Sequence, residues 1–137
     1  MAIFLLLKIE KKSFLEGNPA IEKISFQYAD QADFSAKKPN TANFDCEAFI
    51  VSKDSIYLFT KQWNSKQTTV YRLPKSVGNH TAELLVTLNV KGLITGATYY
   101  SEKNLITLCG YSKKLKPFMY LISDLKNLDF EKANQRK

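Results

Sequence analysis

Shifting the sequence by 49 positions lays strand-like runs on strand-like runs without a gap, and this constrains the fold more than any single motif. "IYLFT" from Ile56 falls on "LITLC" from Leu105, "VYRL" from Val70 on "MYLI" from Met119, and Ala48 on Ala97. Turn segments fall on turn segments. A second shift, of 64 positions, places "LKIEKK" from Leu7 on "YRLPKS" from Tyr71 and "ISF" from Ile24 on "LNV" from Leu88. The 15 extra positions correspond to the polar run "ADQADFSAKKPNTAN", residues 29–43. Identity between the copies is low. What recurs is apolar alternation and turn spacing, while helical periodicity is scarce.

A period near 49 built from four short strands is the signature of a propeller blade. One four-stranded sheet cannot cover both of its faces, and radial stacking buries them against neighbouring sheets. The spacing therefore predicts an all-β fold of antiparallel four-stranded sheets of β-propeller blade type, an incomplete propeller of about two blades. Residues 1–28 read as the end of a first blade and 29–43 as a loop insertion. Residues 44–92 read as a complete blade, 93–124 as an incomplete one, and 125–137 as a polar tail with room for one short helical turn. Propellers close with roughly four to eight blades. Two blades leave strand edges open, so the expected partners are remaining blades or further copies associating through those edges. A small self-contained sandwich is the competing architecture.

A chain of 137 residues, 45% apolar and 24% charged, is one ordinary globular domain in size and composition. Twenty basic against thirteen acidic residues give a net charge of +7. Only Arg72 and Arg136 are arginines, whereas specific nucleic-acid sites favour arginine, so a lysine-rich solvated surface is the better reading. Cys46 and Cys109 are too far apart in sequence for a disulfide framework or a zinc pattern, and their apolar surroundings predict buried thiols. The apolar run at residues 2–7 is shorter than a signal core and far shorter than a membrane-spanning helix.

Three residues stand out as candidate binding groups. Asp45 and Glu47 open the "DCEAFIV" strand two positions apart, so strict alternation puts both on one face. There they could bind a cation such as Ca2+, act as an acid–base pair, or clamp one blade to the next by accepting hydrogen bonds. The clamp is favoured, because satisfied structural carboxylates are the common case. The equivalent positions in the next copy hold Ile94 and Gly96, so the acids do not recur. Trp63 sits at the tip between two strands and offers a stacking platform for a carbohydrate or protein ligand, or packing for its own hairpin. His80 is the single histidine and has no Gly-x-Ser-x-Gly elbow to serve. No catalytic residue, metal site or cofactor is assigned.

The run "IEKKSFLEGNPAIEKISFQYADQADF", with "NFDCEAFIV", "SIYLFTKQW", "TTVYRLP" and "GLITGATY", resembles an uncharacterised family of β-propeller-like proteins of Bacteroidetes-type bacteria. The intact Asp-x-Glu-Ala-Phe match, from Asp45 to Phe49, corresponds to that family's blade opening. The resemblance implies a secreted or cell-envelope location and a longer parent protein, of which this chain is a fragment. The resemblance supplies no function; the favoured expectation for such a piece is a non-catalytic binding or scaffold module. The alternative is part of a phytase-like or esterase-like propeller hydrolase with a cation-assisted acidic site.

Overall fold

The computed structural model describes residues 4–35 and 38–137. Among the described residues, ten strands form two sheets. They are β1 (Phe4–Ile9), β2 (Ile21–Tyr28), β3 (Asp45–Val51), β4 (Ser55–Lys61), β5 (Thr68–Pro74), β6 (Gly78–Leu88), β7 (Leu93–Tyr100), β8 (Leu105–Tyr111), β9 (Pro117–Ser123) and β10 (Asn134–Arg136). One short helix, α1 (Lys11–Leu15), bridges β1 and β2. The protein is an all-β molecule with mainly antiparallel pairing, as the alternation predicts.

The first sheet has six strands in the order β1-β2-β6-β5-β4-β3 and curls into a half-barrel. The second has four, in the order β10-β9-β8-β7. Hydrophobic alternation decides the layering. Along β4, Tyr57 and Phe59 point into a core shared with the second sheet, which includes Val70, Ile94, Ile106, Leu108 and Ile122. Ile56 and Leu58 point the other way, into the hollow of the curl, where they meet Ile24, Phe26, Tyr28, Tyr71 and Leu73. A strand buried on both faces cannot alternate, which explains the unbroken "IYLF" run.

The 49-position relation reaches down to strand register. Asp45 pairs with Lys61, and Ile94 with Gly110; Ala48 pairs with Phe59, and Ala97 with Leu108; Val51 pairs with Ile56, and Tyr100 with Leu105. Each hairpin carries a bulge near its start, between Cys46 and Ala48 in β3 and between Ile94 and Gly96 in β7. The next ladder slips by one position, Ile56 pairing with Leu73 but Ile106 with Ile122. β3 and β7 lie against each other where the two sheets meet.

Three placements differ from the sequence reading. β1 and β2 do not stand as part of a separate preceding blade. β2 pairs in parallel with the outer edge of β6, from Ile24 opposite Gly78 to Tyr28 opposite Ala82, so one sheet grows to six strands. The cause is burial: Ile24, Phe26 and Tyr28 cover the hollow of the curl. The residues of the expected polar tail supply Leu125 and Phe130 to the shared core, and β10 pairs with β9 as a fourth strand. Cys109 is exposed rather than buried. It faces away from the core because its neighbours Leu108 and Gly110 take the inward positions.

Candidate ligand-binding site

Asp45, Glu47 and Trp63 come together at one end of β3, where a loop descends from β2. The hairpin tip that follows β4 is tied to this loop at three points. Trp63 donates its backbone N–H to the Ala42 carbonyl at 3.1 Å. Asn64 donates twice, from its backbone N–H to Asn43 Oδ1 at 3.2 Å and from Nδ2 to the Thr41 carbonyl at 2.8 Å. Beneath the tip, Gln62 Nε2 donates to Thr69 Oγ1 at 2.7 Å and to Thr60 Oγ1 at 3.1 Å, while Ser65 donates to Gln62 Oε1 at 2.6 Å. This buried network fixes the direction of the tip, because each of these polar groups is satisfied only in one arrangement.

Both candidate carboxylates have internal partners. Trp63 Nε1 donates to Asp45 Oδ2 at 3.0 Å. Lys61 Nζ lies 2.8 Å from Glu47 Oε1. The Lys61 side chain is only 7% exposed, whereas that of Glu47 is 44% exposed. Burial pulls the Lys61 pKa down, but hydrogen bonds to Glu47 and to Tyr111 of the second sheet outweigh it, and the ammonium is held above its ordinary value. The same ammonium stands 4.6 Å from the centre of the Trp63 ring. Asp45, Trp63, Lys61 and Glu47 thus form one connected cluster, with Tyr111 linking it to the neighbouring sheet. The partners are side chains, not the backbone N–H groups of an adjacent blade.

β3 does not alternate simply between Asp45 and Ala48, because a bulge interrupts it. Cys46 packs toward the hollow of the curl and Ala48 into the core between the sheets, although they are two positions apart. An inserted residue resets the alternation, and Glu47 is that residue. Cys46 Sγ is held over the carbonyls of Ala48 and Phe59 at 3.4 and 3.6 Å, and burial raises its pKa.

Above this cluster lies an open cleft of about 600 Å³. Trp63 and Asp45 line it, together with Phe34, Asn40, Asn43 and Phe44 of the β2–β3 loop. Gln31 also lines it, and its Oε1 atom is buried without a hydrogen-bond partner among the described residues. Lys61, Gln62 and Gln31 carry much of the geometry and were not candidates from sequence. The available signal was weak: an ammonium and an amide next to Trp63 at the end of an otherwise apolar strand.

No protein-family model, curated protein or solved structure matches the chain. Among the described residues, no group of three or more His, Cys, Asp or Glu side chains is placed to hold a metal ion. No helix among them is long and apolar enough to cross a membrane.

Proposed function

We propose that the chain is a non-catalytic binding module of blade type from a secreted or envelope-associated β-propeller protein, and that the cleft over Trp63 takes a neutral polyhydroxylated ligand such as an oligosaccharide. The repeated register of the β3–β4 and β7–β8 hairpins, with β3 set against β7, supports the blade reading. The observation that carries the ligand reading is the cleft itself. It combines the aromatic residues Trp63, Phe34 and Phe44 with the side-chain amides of Gln31, Asn40, Asn43 and Asn64. Aromatic faces suit the C–H surfaces of a sugar ring, and amides suit its hydroxyls.

The hydrolase alternative requires Asp45 and Glu47 to meet a cation together. Lys61 already neutralises Glu47 at 2.8 Å, so a divalent ion there would face an adjacent ammonium.

Trp63 is the single tryptophan, so intrinsic emission reports this site alone. Titration with neutral oligosaccharides is expected to shift Trp63 emission saturably, and Gln31→Leu to abolish the shift without altering far-UV circular dichroism. Unchanged emission across such a panel would remove the saccharide reading. Calcium binding that disappears in both Asp45→Ala and Glu47→Ala would favour the hydrolase instead.

A further inference from the structure

The two ends of the six-stranded sheet, β1 and β3, are not hydrogen-bonded to each other, yet they border one groove of about 170 Å³. Strand directions follow from the ladders. β1 is antiparallel to β2, β2 is parallel to β6, and the three remaining steps to β3 are antiparallel. β1 and β3 therefore run the same way. A single extended segment of the opposite direction would form antiparallel ladders with both edges at once and close the curl.

The groove has the lining such a segment needs. Phe49 and Val51 pair with Leu58 and Ile56, which face the hollow of the curl, yet they remain 48% and 49% exposed. Across the opening stand Leu6 and Ile24. Inward residues of β3 left half-open to water along the groove are what an absent neighbouring strand leaves behind. The other free edges are blunted. β7 is bulged and lies against β3, and β10 has three residues, all polar. β1 has six residues, a single charge and no bulge, so it is the unprotected edge.

Charge fixes the chemistry and direction of the occupant. Lys75 Nζ is held 3.1 Å from the Ser52 and Lys53 carbonyls, just past the C-terminal end of β3. Lys8, near the C-terminal end of β1, lines the same groove but is ion-paired with Glu22 at 2.8 Å, so Lys75 carries the positive charge at this end. An incoming antiparallel segment has its N-terminal end there. The geometry points to strand addition: the groove between β1 and β3 receives an extended peptide from another polypeptide, with apolar residues at alternate positions and a carboxylate at its N-terminal end. This does not rest on the saccharide reading, since the groove and the Trp63 cleft share no lining residue.

The test uses the full chain, isotope-labelled, with a capped six-residue peptide of sequence Glu-Val-Thr-Val-Thr-Val. Amide exchange in both β1 and β3 is expected to slow by roughly tenfold or more at saturation. The reversed peptide, with glutamate last, is expected to bind at least several-fold more weakly, and Val51→Lys to abolish protection while leaving exchange in β4–β6 unchanged. Protection of one strand alone, of neither, or equally by both peptides would overturn the assignment. So would a concentration-dependent dimer in sedimentation with the same amides protected in the absence of peptide, since a second copy would then be the occupant.

Discussion

Two buried tyrosines in the hollow of the curl show how burial and hydrogen bonding act on single residues. Tyr28 is 2% exposed and, among the described residues, its hydroxyl has no oxygen or nitrogen partner, with the Cys46 thiol close by. Tyr71, 4.5 Å from it between ring centres, donates to Asp30 Oδ1 at 2.8 Å. Tyr28→Phe is therefore expected to leave the urea midpoint almost unchanged, whereas Tyr71→Phe loses about 1 kcal/mol. Burial raises the pKa of both tyrosines well above the ordinary value, and it also raises those of Tyr57 and Tyr120. A phenol whose folded pKa is raised keeps its proton longer in the native state. Its contribution is complete below the unfolded pKa, near 10, and is lost as pH rises beyond it. Stability measured by urea unfolding should fall progressively above about pH 10, and the fall should be shallower in Tyr28→Phe. An equal slope in the variant would show that Tyr28 does not drive the alkaline loss.

The paired hairpins make a sharper demand at the level of elements. Gly110 occupies the position that Lys61 fills in the first hairpin. A Cβ added there would stand 2.1 Å from the Leu93 carbonyl oxygen, a backbone atom that cannot move aside. At Gly96 the obstacle is the Cys109 thiol at 2.7 Å, a side chain that can rotate. Gly110→Ala should therefore cost about 3 kcal/mol or more and Gly96→Ala markedly less, read as shifts in the urea midpoint. Comparable losses would mean that the β7–β8 ladder relaxes more freely than its packing implies. Most strands were legible in the sequence because alternation and turn residues encode them directly. The parallel pairing of β2 with β6 was not, since period-two patterning says which face is buried but not which strand lies alongside. The bulge at Glu47 was equally hidden, although both acids still join one cluster through Lys61 and Trp63. Asp45 and Trp63 were visible as candidates; that one holds the other across 18 positions was not.

In the whole molecule, the two sheets share a core whose members come from both and from the C-terminal segment. Phe130 lies 5.7 Å from the Tyr57 ring and 6.3 Å from that of Phe59, so a segment that reads as polar stitches the second sheet to the first. Isolated apolar residues among charges carry no periodic signal, which is why its role escaped the sequence. Phe130→Ala should destabilise by about 3–5 kcal/mol. Because the core is shared, unfolding followed by Trp63 emission, which reports the first sheet, should coincide with far-UV circular dichroism, which reports both. Separate transitions would mean that the sheets fold independently. The parallel pairing also sets a clock for synthesis. Tyr28 reaches its neighbour Ala82 only after more than 50 further residues are made, a wait of roughly 3–10 s at ribosomal speed. An isolated hairpin is marginal in water, so during those seconds Ile24, Phe26 and Tyr28 have no hollow to fill. The nascent N-terminal hairpin is then the part of this chain most dependent on a chaperone.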